Sequence, residues 1–232
     1  MSLQTSSRPP ERDGYECLRY MQGVLSGDVV ACEKIRKLCE IMLPRVESGK
    51  YKCWHYDPVL ACRPGRFIEA FCCNPQGKPG QRITLEPFQF FWQELAFGFV
   101  DDNGLRQLNE VFNVRARKNG KTTEQAGIGL YMITKDGEGA PQGYSAATSK
   151  DQASLLYGAM LNMVRQSPAL AKRLHKGIIP DRAQDGLINR ANGGYFTPLS
   201  SQTRNLDGLN VHFAAIDEAA AITNRDVYDL LK

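Results

Sequence analysis

The sequence contains no Cys-x-x-Cys pair and only three histidines. Metal-site spacing is therefore poor, with His55 as the one imidazole close to the cysteines. No apolar run approaches the roughly 20 residues of a membrane-spanning helix. No internal repeat or low-complexity stretch is present, which sets aside repeat architectures and compositionally disordered chains. Charge of neither sign dominates. The formal net charge is +4, which permits a polyanionic partner without demanding one.

What is present is the composition of a globular protein, 42% hydrophobic and 23% charged. The length of 232 residues suits one sizeable core, or one domain with an appendage. All seven cysteines lie in the first 73 residues: Cys17, Cys32, Cys39, Cys53, Cys62, Cys72 and Cys73. An odd count without metal spacing argues for reduced, mostly buried thiols, with a metal or redox role as the alternative.

The stretch Arg115-Ala116-Arg117-Lys118-Asn119-Gly120-Lys121-Thr122-Thr123 carries the chemistry. A β-like run, Val111–Val114, precedes it, and a helix-like run from Glu124 to Ile133 follows. Strand, Gly-Lys-Thr turn and helix are the context of a phosphate-binding P-loop. The turn and the helix start aim backbone N–H groups at one spot, where the helix dipole favours an anion. Lys121 then reaches the β- and γ-phosphates of ATP, and the Thr122 hydroxyl holds Mg²⁺. The usual first glycine of the pattern is replaced by Arg115. The competing reading of Gly-Lys-Thr is a polar helix N-terminus.

About a hundred residues later, Val211-His212-Phe213-Ala214-Ala215-Ile216 ends in Asp217-Glu218. This reads as a buried parallel strand with two carboxylates at its C-terminal tip, where open α/β sheets bind ligands. Asp217 is placed to hold Mg²⁺ through water, and Glu218 to orient the attacking water and take its proton. Two solvated acids at a strand end are the alternative.

Elsewhere the pattern predicts helices from Tyr15 to about Leu25 and from Val29 to Leu43, with Pro44 disturbing the end of the second. Residues 51–82 read as irregular apart from Phe67–Phe71. A helix opens at Leu85-Glu86-Pro87-Phe88-Gln89 with proline in its first turn. Gln89 is a candidate adenine reader, because an amide can donate and accept at once; a core residue is the alternative. Residues 142–148 read as a strand, and Ser149 caps a helix reaching Gln166. A short helix spans 169–174. Asn192-Gly193-Gly194 marks a hairpin between Leu187–Arg190 and Tyr195–Leu199. Residues 219–232 read as a last helix. Alternating strands and helices imply a three-layer α/β sandwich with a mainly parallel sheet, and the early helices an N-terminal appendage.

Taken in order, these pieces resemble the ATPase portion of the large terminase subunit of tailed bacteriophages, in its HK97-like branch. The motifs are Gly80–Gln89, Ala96-Phe97-Gly98-Phe99, Arg117-Lys118-Asn119-Gly120-Lys121-Thr122, Ala147–Ala153, and Asp207-Gly208-Leu209-Asn210 leading into Asp217-Glu218. The resemblance covers roughly residues 65–232, leaving 1–64 as an arm and helical appendage. It implies a P-loop NTPase fold and a Mg²⁺-dependent ATPase, with Lys121 and Glu218 catalytic. Lys118, Asn119, Gly120, Lys121, Thr122, Thr123 and Gln89 would bind nucleotide, and Thr122 and Asp217 the metal.

By the same resemblance Arg117 contacts or senses the γ-phosphate, a role that suits a planar guanidinium. Arg204, in the loop before the acidic strand, is a candidate arginine finger acting on a neighbouring subunit; a plain surface arginine is the alternative. Lys118 is likewise either a phosphate ligand or a solvated turn residue. The implied function is packaging of double-stranded DNA by a homo-oligomeric ring seated on the portal protein. A small terminase subunit is the implied partner, the host bacterial cytoplasm the location, and no membrane is involved. The nuclease domain usual in this family has no counterpart up to Lys232, so nuclease activity is not expected of these residues. Two rival readings remain: a helicase-like translocase, since Asp217-Glu218-Ala219-Ala220 partly matches a helicase box, and a catalytically silent assembly module or prophage remnant.

Overall fold

The structure, a computed structural model, describes residues 12–179, 184–199, 209–219 and 226–231. These divide into two compact units: residues 12–70 with 84–114, and residues 71–83 with the described part of 115–231. No helix among the described residues is long and apolar enough to cross a membrane.

In the first unit, α1 (Glu16–Ser26) and α4 (Pro87–Gly98) pack together, with α2 (Glu33–Ser48) against α1. Their apolar faces meet in a core containing Met21, Val24, Val46, Phe91, Leu95 and Phe99. A small antiparallel sheet joins β1 (Lys50–Tyr51), β2 (Trp54–Tyr56) and β3 (Phe99–Val100). The expected stop at Pro44 does not occur. Helix α2 runs on to Ser48 with the proline inside, where the cost is one missing N–H donor. Residues 58–71, expected to be largely irregular, form α3 (Pro58–Phe71). Pro58 opens it, where no donor is needed, and burial of Ala61, Cys62, Phe67 and Ile68 offsets the internal Pro64. Residue 64, the expected domain boundary, lies inside this continuous helix.

The second unit contains α5 (Lys121–Thr134), β4 (Gln142–Ala146), α6 (Lys150–Gln166), α7 (Pro168–Ala171), β5 (Leu174–Ile179), β6 (Gln184–Asn189), β7 (Tyr195–Pro198), β8 (Val211–Ile216) and α8 (Asp226–Leu231). Its five-stranded sheet has the order β5-β6-β7-β4-β8. The sheet is mixed, which corrects the expectation of a mainly parallel one. Strand β4 pairs parallel with β7 and β8, whereas β5–β6 and β6–β7 are antiparallel. The reversal between β6 and β7 is the Asn192-Gly193-Gly194 turn, with Gly193 at φ 73°. Strand β5 was not expected at all; the anticipated helix over 169–174 stops at Ala171.

Helices α5 and α6 pack on each other and on one face of the sheet. Gly143 faces them: a Cβ there would lie 2.7 Å from Phe196 Cδ2 and 3.2 Å from Ile133 Cγ2 of α5. Tyr144 and Ala146 point the other way, into a cluster with Ile179, Tyr195, Leu199 and Leu231 of α8. Two further corrections concern strands. Val111–Val114 forms no strand, because no described strand supplies it with a ladder partner, and Val114 is 95% exposed. Strand β8 is parallel as expected but only half-buried except at Ala215, because it is hydrogen-bonded along one edge alone among the described residues.

Candidate nucleotide-binding site

The turn before α5 has an unusual backbone. Lys118 (φ 68°) and Gly120 (φ 69°) both adopt the left-handed region. For lysine this costs on the order of 1 kcal/mol, and such strain concentrates at binding loops. Gly120 is the N-cap residue, and its carbonyl accepts the first helical bond from Glu124 N–H at 2.9 Å. No side chain caps this end, so the first N–H groups of α5 stay available for an anion.

Two contacts at the far end of α5 fix which way it runs. Asn189, at the end of β6, donates from Nδ2 to Ile133 O at 2.9 Å, and His212, near the start of β8, meets Asp136 Oδ2 at 2.8 Å. The C-terminus of α5 therefore lies at the edge where β4, β7 and β8 begin. A 14-residue helix is about 21 Å long, comparable to a six-residue strand of about 20 Å. The Gly120-Lys121-Thr122 end thus reaches the edge where β4 and β8 finish. Ala146 and Ile216 are register partners there, and Asp217 N–H donates to Ala146 O at 3.0 Å.

At that edge Asp217 Oδ1 accepts the Glu218 N–H at 3.0 Å, and Glu218 itself sits at φ 51°. The carboxylate of Glu218 is held from outside its own strand: Gln152 Nε2 donates to Glu218 Oε2 at 3.2 Å. The other end of that amide, Gln152 Oε1, accepts from the Thr148 hydroxyl. Gln152 is aimed by α6, whose cap is Ser149 as expected, its Oγ accepting Gln152 N–H at 3.2 Å. The sequence reading placed Thr148 and Gln152 in the Ala147–Ala153 motif but gave neither a role. The available signal was their place just past β4, the strand beside β8.

Of the other expected residues, Arg117, Lys118, Asn119 and Thr122 are exposed, and Lys121 and Thr123 half-buried. Arg115, at the position of the usual first glycine, bonds the carboxylate of Glu124 in the first turn of α5. Gln89 belongs to the first unit, is 8% exposed, and accepts from Glu86 N–H at 2.8 Å as half of a capping box on α4. Its carbonyl is thus committed locally. Arg204 lies outside the described residues. The hydroxyl of Thr122 and the carboxylate of Asp217 are oxygen donors of the kind Mg²⁺ takes.

The second unit is thus an α/β unit in which a Gly-Lys-Thr turn opens α5 and strand β8 ends in two acids. The chain matches the family described as the terminase large subunit, ATPase domain, over residues 87–232, and it belongs to that family. The terminase large subunit of Enterobacteria phage HK97 is 32% identical over 158 residues, 67% of this chain and 30% of that protein. The crystal structure of the HK97 bacteriophage large terminase aligns with a TM-score of 0.61 at 26% identity, covering 74% of this chain and 34% of the other. The chain therefore spans about a third of the length of these relatives.

Proposed function

We propose that this chain binds and hydrolyses ATP with Mg²⁺ and serves as the motor domain for packaging double-stranded DNA. What supports the proposal is that α5, anchored at its C-terminal end where β4 and β8 begin, starts at Gly120-Lys121-Thr122, while β8 ends in Asp217-Glu218. Lys121 neutralises the β- and γ-phosphates, and the loop N–H groups of Lys118, Asn119, Gly120 and Thr123 cradle them. Thr122 and Asp217 would hold Mg²⁺, which supplies charge neutralisation on the phosphates when bound. Glu218 orients a water and accepts its proton, with Gln152 fixing the carboxylate. Arg117, exposed beside the loop, contacts the γ-phosphate, and Arg204 is the candidate finger for a neighbouring subunit.

Family membership supports partners of matching kind: duplex DNA, a portal protein, a small terminase subunit and further copies in a ring, in the host cytoplasm. The test is ATP turnover with and without duplex DNA, run beside a strand-separation assay. Stimulation by duplex without strand separation is expected. Strand separation would select the helicase-like reading instead.

A further inference from the structure

We propose that the edge of the five-stranded sheet opposite the Gly120-Lys121-Thr122 turn is where this chain meets the phosphate backbone of duplex DNA. The inference rests on the reading of duplex DNA as a partner and adds the surface that holds it. Topology sets the edge. Strands β4, β7 and β8 begin there, and so does β5, which is antiparallel to β6 as β6 is to β7. The C-termini of α5 and α6 arrive at the same edge. Asn189 and Asn192 both reach Ile133 O of α5. Helix α6 starts just past the end of β4, is about 26 Å long, and is followed by α7 and then by the first residue of β5. Gln166, its last residue, holds the loop at 74–81 by accepting Gly80 N–H at 2.9 Å. Arg190 N–H, just past β6, donates to Arg173 O at 2.8 Å.

Six cations collect on these pieces: Lys78 in the loop, Lys135 after α5, Arg165 in the last turn of α6, Lys172 and Arg173 before β5, and Arg190. All six are exposed, and among the described residues none is ion-paired. Lys176, farther along β5, is the contrast, its Nζ meeting Asp185 Oδ2 at 2.8 Å. Acids are kept away by the sequence itself: none lies between Glu69 and Glu86 or between Asp151 and Asp181. Asp136 and Glu138 follow α5, and Asp136 meets His212 at 2.8 Å. The cations come from separate pieces of chain, so they cover an area and not a stripe along one helix. From β5 to β8 the edge spans about 19 Å. Duplex DNA carries one charge per about 1.7 Å of axis, about 11 over that width. An anion this dense can meet all six cations at once, whereas protein surfaces mix both signs. Such phosphate contacts position a duplex without reading its sequence.

The experiment is anisotropy of a labelled duplex of random sequence, titrated at several salt concentrations, beside calorimetric Mg²⁺-ATP binding and a melting temperature for each variant. Lys172→Gln/Arg173→Gln/Arg190→Gln is expected to bind duplex about tenfold or more weakly, and its slope of log affinity against log salt to be shallower by about 2–3. Its Mg²⁺-ATP affinity is expected to match wild type, because the edge lies a helix length of about 21 Å from the loop. A charge-matched control, Lys34→Gln/Lys50→Gln/Arg63→Gln, removes exposed cations of the first unit and is expected to keep the wild-type slope. An edge variant with the wild-type slope overturns the proposal, and so does a control that loses as much as the edge variant. Where the edge variant does not fold, Lys135→Gln/Lys172→Gln decides by the same slope, expected to be shallower by about 2. A wild type that prefers polyglutamate to duplex assigns the edge to an acidic protein and overturns the proposal as well. A folded wild type that binds Mg²⁺-ATP but no duplex at low salt overturns this inference and leaves the nucleotide reading standing. Duplex binding through this edge without nucleotide binding does the reverse.

Discussion

The Gln152 amide and the Glu218 carboxylate are joined at 3.2 Å, across 66 positions of sequence. The bond spans the tips of two neighbouring parallel strands, β4 and β8, and fixes a side chain whose backbone is already strained at φ 51°. A water-activating carboxylate works only when held within hydrogen-bond reach of its water. Gln152→Ala is expected to lower ATP turnover by about tenfold or more while leaving Mg²⁺-ATP affinity near that of wild type. Steady-state kinetics beside equilibrium binding separate the two effects, and a fall in affinity alone would assign Gln152 to the binding step.

Asn189 anchors the other end of the same machinery. It is buried, donates to Ile133 O at the end of α5, and accepts Ala191 N–H at 3.0 Å. Asn189→Ala removes the shorter of two amide bonds to Ile133 O, leaving that from Asn192 Nδ2 at 3.5 Å, and takes the acceptor from the Ala191 N–H, a cost of about 1–3 kcal/mol. Urea unfolding of the second unit should show that loss.

Glu94 is the buried acid of the first unit. Its Oε2 accepts Cys17 N–H at 2.7 Å, at the start of α1. Burial nevertheless lifts its pKa to about 7, from an ordinary 4.5. The folded state therefore holds its proton longer than the unfolded chain does. Stability from this group is fully present below about pH 4.5, falls as pH rises towards 7, and is level above that. The lost contribution is on the order of 3 kcal/mol at most. Glu94→Gln keeps an acceptor for Cys17 and carries no charge, so it should flatten this window and stabilise the protein at pH 8. Denaturation midpoints taken from pH 4 to 8 check the prediction. The same burial raises the thiol pKa of Cys39 and Cys62, and that of Cys72 to about 12, as expected of unreactive core cysteines.

The parts of the site legible in the sequence were those fixed by local chemistry. The Ser149 cap, the proline opening α4, the Asn192-Gly193-Gly194 reversal and the apolar run ending in Asp217-Glu218 each follow from neighbouring residues. The illegible parts depend on partners far along the chain. Val111–Val114 has strand-like residues but no ladder to join among the described residues. Helix α3 looked broken by prolines until its buried face was known. Strand β5 is half polar, and only pairing with β6 makes it a strand. The contacts of Gln152 with Glu218 and of Arg115 with Glu124 are ones that spacing does not encode.

The most direct test of the central claim is calorimetric titration of the folded chain with Mg²⁺-ATP, compared with Lys121→Ala, and then hydrolysis by wild type and Glu218→Gln. The account predicts saturable binding, weakened by about 100-fold or more in Lys121→Ala, where a charge contact to phosphate is lost. It predicts that Glu218→Gln binds but does not turn over. A chain shown folded by circular dichroism that binds no nucleotide, or that binds equally well without Lys121, would contradict it.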